Sequence, residues 1–242
     1  VFKNPGSFNG RYGLPIALGR LAGERLAVLE MASDSLDEIK ELAALAHPRV
    51  GVVTRVGHSH VADLGGLENI AAEKVRLVQA LPPEGLAVLN GDDARVLAMA
   101  EQCRCRLITI GLNSENTYWA DAVSTGLTGT VCTLHDGGSE IALRIPWTGQ
   151  HHAYTMMFAY AVGREYGLEP AAIAQGLLGA SALPGRLSPA AGYNGSVLLD
   201  DTFNASPESF EAALSTLSAL PARRRWVIMG EMADLGAQSE EW

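Results

Sequence analysis

Acidic and imidazole side chains follow two predicted strands of this sequence, at the point where each strand ends. Glu30 ends the apolar run 26–29, and His58 and His60 follow the run 50–56. In parallel α/β sheets, ligands collect at the carboxyl ends of the strands. Because hard cations prefer carboxylate oxygens, Glu30 is a candidate Mg²⁺ ligand. The alternative is a solvated acid at a strand end.

The two histidines allow a second kind of metal site. Two histidines at i and i+2 of an extended segment point to the same side. The spacing of His58 and His60 therefore permits a metal pair, as in the His-x-His-x-Asp-His pattern of metallohydrolases. Here the acid is displaced to Asp63 and the last histidine of that pattern is missing. A single ligand, or a histidine bonded to the backbone, fits this loop better than dinuclear zinc.

Lys74 lies on an apolar stripe at helical spacing. A buried ammonium group is costly, and it tends to lose its charge or to find a partner. Either the lysine stem carries its charge out to solvent, or Lys74 faces a site and is chemically modified there. The stripe consists of Leu67, Ile70, Ala71, Val78 and Leu81.

A third group of polar residues lies toward the C-terminus. Asp200 and Asp201 end an apolar run, and Ser206 then begins a predicted helix. Carboxylates at a strand end that face a helix N-terminus suit a ribose hydroxyl and a phosphate. Arg186, in a glycine-containing linker, is suited to clamp a phosphate. Ordinary helix capping is the alternative for the Asp200–Ser206 segment.

The elements that must position these residues alternate between strands and helices. Such alternation predicts an α/β fold, with a mostly parallel sheet and flanking helices. Residues 121–145, with short β-rich runs broken by glycines, predict a small antiparallel meander. We expect a first domain over 1–185 and, from residue 186, the start of a Rossmann-like C-terminal domain over 186–242. The predicted strands are 25–31, 50–56, 86–89, 107–110, 196–200 and 226–229, and the predicted helices are 35–46 (with Ser35 and Glu38 as a capping box), 67–81, 92–103, 152–166, 170–178 and 207–220.

The composition limits the possible partners. The 242 residues carry a net charge of −9, which disfavours a uniform surface for nucleic acid or anionic membranes. No apolar run reaches the ~20 residues of a membrane span. We therefore expect neither a nucleic-acid partner nor a membrane span.

Several segments, taken in order along nearly the whole chain, resemble the motifs of the Mur ligase family. Each is weak alone, but their order makes the resemblance specific. The segments are the Asn-rich loop at 4–15, the Glu-Met pair at 30–31, the Gly-x-x-His to Lys segment at 57–74, the Leu-Asn-x-Asp-Asp run at 89–93, the linker at 183–186, the Asp-Asp to Ser run at 200–209 and the run at 229–236.

This resemblance implies an ATP-dependent amide ligase. In such a ligase, ATP phosphorylates a substrate carboxylate and an amine attacks the acyl phosphate, while Mg²⁺ neutralises the phosphate charge. The members most similar in these motifs add D-alanyl-D-alanine to a UDP-N-acetylmuramoyl tripeptide in peptidoglycan precursor synthesis. The resemblance thus implies a cytoplasmic, monomeric enzyme with these two substrates.

The same resemblance implies roles for individual residues. Glu30 and His60 would hold Mg²⁺, and Lys74 would be carbamylated, act in catalysis and help to bind a second Mg²⁺. Arg186 and Asp201 would contact the phosphates and the ribose of ATP. Two further residues complete the implied site: His152, which with Thr155 takes the place of two adenine-side asparagines, and Asn9, which would touch the muramoyl peptide.

The sequence also departs from the family pattern. It contains no Gly-x-x-x-x-Gly-Lys-Ser/Thr phosphate loop, which we expect just before Val1; without it the piece should not turn over ATP. Three alternatives stay open: a ligase of the same superfamily with another acceptor (folylpolyglutamate-synthetase-like or cyanophycin-type), a nucleotide-binding scaffold that has lost catalysis, and a metallohydrolase built on His58 and His60.

Overall fold

The computed structural model describes residues 1–59, 61–236 and 239. The chain divides into two compact units. The first is built mainly from Val1–Ala87 and Asp93–Leu107, and the second mainly from Val88–Asp92 and Ile108–Ala233. The predicted division at residue 186 stays a prediction.

The first unit holds most elements of the N-terminal half. Its strands are β1 (Phe2–Lys3), β2 (Ala27–Val28) and β3 (Val50–Val53), and its helices are α1 (Gly13–Leu18), α2 (Glu38–Ala46), α3 (Val61–Leu64), α4 (Leu67–Gln79) and α5 (Ala94–Ala98), the last followed by a 3₁₀ turn over Met99–Gln102. The helix predicted over 92–103 is thus an α-helix only in its first part.

The remaining elements follow from residue 86 onward. They are β4 (Leu86–Asn90), β5 (Arg106–Gly111), β6 (Tyr118–Gly126), β7 (Gly129–Asp136), β8 (Ser139–Ile145), α6 (His152–Glu165), α7 (Pro170–Leu178), β9 (Ser188–Ala191), β10 (Val197–Asp200) and α8 (Pro207–Ala219). Among the described residues, no helix has both the length and the apolar character that a membrane crossing requires.

Six of the strands form the main sheet, in the order β3-β4-β5-β6-β7-β8. β5 and β6 run parallel, whereas β6, β7 and β8 form an antiparallel meander. β4 is buried along its whole length, and Leu86 and Leu89 have no exposed surface. The α/β fold and the meander are confirmed, and the meander continues the main sheet.

The predicted strand over 25–31 is wrong in both length and burial. β2 contains two residues and pairs in parallel with β1 in a separate two-stranded sheet. Both residues of β2 are exposed. The apolar run that precedes Glu30 is therefore not a core strand, and sequence pattern alone cannot distinguish it from β4.

The predicted capping box at Ser35 and Glu38 is also wrong. α2 begins at Glu38, and the N-cap residue Asp37 has a left-handed backbone (φ 64°) and no side-chain cap. The backbone N–H groups of Asp37 and Ile39 instead donate to the carboxylate of Glu73 on α4, at 2.7 and 2.6 Å. A buried carboxylate from a neighbouring helix thus replaces the local cap.

The C-terminal segments confirm one prediction and correct another. Ser206 caps α8 in a capping box with Ser209, and Pro207 occupies the first turn. The predicted strand at 226–229 does not form: Ile228 is 98 % exposed, and no strand among the described residues pairs with this segment. β9, which the sequence analysis missed, pairs antiparallel with β10.

Candidate functional site

Asn9 and Glu30 lie in direct contact in the first unit. Glu30 follows β2, and the side-chain amide of Asn9 donates a hydrogen bond to Glu30 Oε1 at 2.8 Å. The backbone of the two segments is also joined, because the N–H of Ala32 donates to the carbonyl of Asn9 at 3.0 Å. Glu30 is exposed. One carboxylate oxygen is thus oriented by an amide, while the residue remains open to a ligand.

Glu38, a buried residue at the start of α2, binds the backbone of the same two segments, the loop of Asn9 and the segment after Glu30. Glu38 is only 6 % exposed, and its carboxylate accepts hydrogen bonds from the N–H of Arg11 at 2.7 Å and the N–H of Asp34 at 3.2 Å. The hydroxyl of Ser35 adds a third bond at 3.1 Å. A Cβ at Gly10 would lie 3.3 Å from Glu38 Oε1, so the close approach favours glycine there. The spacing of Ser35 and Glu38 predicted a helix cap and gave no sign of this function.

Lys74 is a half-buried residue of α4. Burial lowers the pKa of its amine from the usual value, because desolvation penalises the charged form. Within the part of the chain that the structure describes, the amine has neither a hydrogen bond nor an ion pair, so it is not bonded to Glu30 or Asn9. A lowered pKa increases the share of the neutral amine, which is the nucleophilic form, and so favours chemical modification.

The histidine loop after β3 is only partly described. His60 lies outside the described residues, and its place as a metal ligand stays a prediction. The carbonyl of His58 accepts the N–H of Val61 at 3.2 Å, and just before the loop the N–H of Val56 donates to Asp93 at 2.9 Å. Among residues 1–59, 61–236 and 239, no three His, Cys, Asp or Glu side chains cluster closely enough to hold a metal.

Asp92 holds the loop that follows β5, in the second unit. Its carboxylate accepts the N–H of Leu112 at 2.5 Å, the amide of Asn116 at 3.2 Å and the hydroxyl of Tyr154, on α6, at 2.8 Å. In the sequence, Asp92 stood out only as part of the Leu-Asn-x-Asp-Asp run and as the start of a predicted helix. Its position after a fully buried strand is the signal that could have marked it as an anchor.

Arg186 and Asp201 lie near each other in the second unit. The N–H of Leu187 donates to Asp201 Oδ1 at 3.1 Å, and the Arg186 guanidinium lies 4.1 Å from the ring centroid of Phe203. The N–H of Phe203 donates to the carbonyl of Gly185 at 3.2 Å. Arg186 is exposed. The linker therefore packs against the segment after β10, with Arg186 over the Phe203 ring and Asp201 bonded to the linker backbone.

His152 begins α6 and belongs to the same unit. Its Nδ1 lies 3.3 Å from the hydroxyl oxygen of Thr155, and its ring centroid lies 4.1 Å from that of His151. Burial, with a smaller effect from His151, lowers the pKa of His152 to about 3. Burial also lowers the pKa of His151, and the Asp201 carboxylate opposes that shift. His152 is therefore neutral near pH 7, and Asp201 lies within electrostatic reach of its neighbour.

The chain matches two family models that together cover most of its length. One describes the Mur ligase middle domain and matches residues 2–163. The other describes the Mur ligase glutamate ligase domain and matches residues 185–241. The chain therefore belongs to the Mur ligase family, as its motifs predicted.

Several relatives carry a more specific name. UDP-N-acetylmuramoyl-tripeptide–D-alanyl-D-alanine ligases from Bacillus subtilis and Mycobacterium bovis are each 34 % identical, over 99 % and 98 % of this chain and 52 % and 48 % of their own lengths. The crystal structure of the MurF ligase of Thermotoga maritima in complex with ADP has a TM-score of 0.89 and 26 % identity, covering 99 % of this chain and 55 % of that one. This chain thus spans about half the length of these relatives.

Proposed function

We propose that this chain is part of an ATP-dependent amide ligase that adds D-alanyl-D-alanine to a UDP-N-acetylmuramoyl tripeptide. The observation that carries the proposal is the 34 % identity, over 98 % of the chain, to ligases of that name. The aligned chain includes the Asn9–Glu30 pair, in which one carboxylate oxygen is oriented and the residue is exposed. We also propose that the enzyme acts in the cytoplasm as a monomer.

The proposed reaction has two steps. An oxygen of the substrate carboxylate attacks the γ-phosphorus of ATP, which forms an acyl phosphate and releases ADP. The amine of D-alanyl-D-alanine then attacks the acyl carbon, phosphate leaves, and the amine loses a proton as the amide forms. Catalysis of such phosphoryl transfer rests mainly on positioning and on electrostatic stabilisation.

The side chains of the first unit supply only part of the ligand set that a hard cation needs. Glu30 supplies a carboxylate oxygen, which suits Mg²⁺, whereas the unmodified amine of Lys74 does not. Reaction of the neutral amine with CO₂ forms a carbamate and releases a proton, and the lowered pKa of Lys74 favours that neutral form. We propose that Glu30 and His60 hold one Mg²⁺ and that carbamylated Lys74 helps to bind a second. Bound Mg²⁺ would neutralise charge on the phosphates.

The second unit would bind the nucleotide. Arg186 is exposed and suited to a phosphate oxygen, and Asp201 to a ribose hydroxyl. His152 would meet the base as a neutral ring, because its pKa lies far below 7. A neutral imidazole offers one donor and one acceptor, so it can replace part of the hydrogen bonding of an asparagine amide. Asn9 would contact the muramoyl peptide.

The test is an assay of phosphate release by the complete natural protein. Release should require ATP, the UDP-muramoyl tripeptide and D-alanyl-D-alanine together, and mass spectrometry should detect the pentapeptide product. Release with a folate and glutamate, or with a cyanophycin primer, would assign another acceptor. Nucleotide binding without release would favour a non-catalytic scaffold. Tightly held zinc would favour a hydrolase.

A further inference from the structure

We propose that Asn4 is a positioning residue that sets the geometry of the Asn9–Glu30 pair. This inference deepens the proposed function and rests on it for the activity of the pair. All the contacts of Asn4 that support it lie within the first unit.

The position of Asn4 follows from the end of the β1–β2 ladder. The two strands pair at Phe2 with Ala27 and at Lys3 with Val28. In the same register Pro5 would lie opposite Glu30, but Pro5 has no N–H to donate to the ladder. The backbone pairing therefore ends where the segment that carries Glu30 begins.

The side chain of Asn4 continues the pairing in place of the backbone. Its Oδ1 accepts the backbone N–H of Glu30 at 3.0 Å, and its Nδ2 donates to the backbone carbonyl of Glu30 at 3.2 Å. Both polar backbone groups of Glu30 are thus bound by one planar amide. This fixes the backbone from which the Glu30 carboxylate extends.

The side-chain amide of Asn4 also holds the backbone next to Asn9, the other residue of the pair. Asn4 Nδ2 donates to the carbonyl of Phe8 at 3.0 Å, and Phe8 immediately precedes Asn9. Asn9 in turn donates to Glu30 Oε1 at 2.8 Å. One half-buried side chain therefore binds the backbone on both sides of the Asn9–Glu30 hydrogen bond.

A purely structural role would have different consequences from a positioning role. Loss of a loop contact would lower stability, but it would leave the metal requirement of the folded enzyme unchanged. Loss of a residue that orients a metal-binding carboxylate lowers metal affinity or activity by roughly 10- to 100-fold. The two roles can therefore be separated by measuring the Mg²⁺ requirement beside the melting temperature.

The test uses Asn4→Ala and Asn4→Asp in the complete natural protein. Asn4→Asp keeps the size and the acceptor for the Glu30 N–H but removes both donors, so it remains informative if Asn4→Ala folds poorly. The matched control is Asn113→Ala, which removes an exposed side-chain bond to the N–H of Glu115 at 3.1 Å. The measured quantities are kcat, the Mg²⁺ concentration at half-maximal activity and the melting temperature.

We expect both Asn4 variants to raise the half-maximal Mg²⁺ concentration roughly tenfold, with the lost activity partly restored at high Mg²⁺. The Asn113→Ala control should match the unaltered enzyme. In an Asn9→Ala background, Asn4→Ala should cause no further loss, because both residues act through the same pair. An unchanged Mg²⁺ requirement, or fully multiplicative losses, overturns the proposal.

Hydrogen exchange separates this inference from the ligase activity. The Glu30 N–H donates to Asn4, so its exchange should accelerate in Asn4→Ala and stay unchanged in Asn113→Ala. If the unaltered protein shows no ligase activity, the proposed function fails, and this exchange then tests the contact of Asn4 with Glu30, on which the positioning role depends, without any activity measurement. Equal exchange in both variants overturns it.

Discussion

Replacement of Glu73 should destabilise the first unit strongly, although the residue lies in the middle of a helix. Glu73 is 1 % exposed, and its two carboxylate oxygens accept the N–H groups of Asp37 and Ile39 at the start of α2. These donors belong to a helix N-terminus, where a negative charge is favoured. We therefore predict a loss of stability in Glu73→Gln.

The magnitude follows from the bonds that the change removes. A glutamine retains one acceptor oxygen and turns an NH₂ group toward the second N–H, so one of the two bonds is lost. A hydrogen bond to a charged group contributes about 1.5–3 kcal/mol, and the charge at the helix N-terminus adds about 0.3–1 kcal/mol. Glu73→Gln should therefore lower the free energy of unfolding by about 2–4 kcal/mol, and Glu73→Ala should lower it further, because both bonds go.

The assay is urea unfolding of the complete natural protein, followed by circular dichroism. Glu84→Gln is the matched control, because Glu84 is an exposed glutamate in the turn before β4. It should change the free energy of unfolding by less than about 0.5 kcal/mol. Equal stability of Glu73→Gln and Glu84→Gln would refute the argument that a carboxylate on α4 caps α2.

Three further predictions test other parts of the chain. Lys74→Ala should abolish turnover in the complete enzyme while leaving the melting temperature within about 2 °C; activity near that of the unaltered enzyme would contradict the carbamate role. The pKa of His152 is lowered to about 3 in the folded state from its ordinary value of 6.5, so the unfolded state binds the proton first as the pH falls. Stability should thus decrease from about pH 6.5 to pH 3, and His152→Asn should make that decrease shallower in urea titrations across the range; an unchanged slope would count against the burial of this ring. Asp92→Ala should free the loop after β5 and cost about 1–2 kcal/mol, since several donors lose a charged acceptor but water competes for these exposed bonds; calorimetry checks this, and no loss of stability would contradict it.

The elements that the sequence predicted well are those whose pattern is local. β4 is an unbroken apolar run in a parallel α/β pattern, and α4 shows helical spacing with a clear start at Leu67. The apolar run at β2 has the same appearance as β4 but lies exposed, because exposure depends on what packs against a strand. That information is not carried by the strand itself.

The candidate site shows the same limit. The contact between Asn9 and Glu30 joins residues 21 positions apart, and only the resemblance to a family placed both in one site. Ser35 and Glu38 have the spacing of a capping box, yet Glu73, on another helix, takes that function. A local pattern cannot indicate that a distant buried carboxylate competes for the same N–H groups.

Two buried glutamates connect the candidate metal side chains within the first unit. Glu73, the neighbour of Lys74 on α4, holds the start of α2. Glu38, the first residue of α2, holds the loop of Asn9 through Arg11 and the segment after Glu30 through Asp34. A change at Glu73 should therefore reach Glu30 through α2.

This connection predicts an effect of Glu73→Gln beyond stability. The variant should raise the half-maximal Mg²⁺ concentration, but by less than Asn4→Ala, because Asn4 contacts Glu30 directly whereas Glu73 acts through α2 and Glu38. Activity measured against Mg²⁺, at a temperature where both variants are folded, checks this order. A larger shift for Glu73→Gln would mean that the start of α2, and not the Asn4 amide, determines the orientation of Glu30.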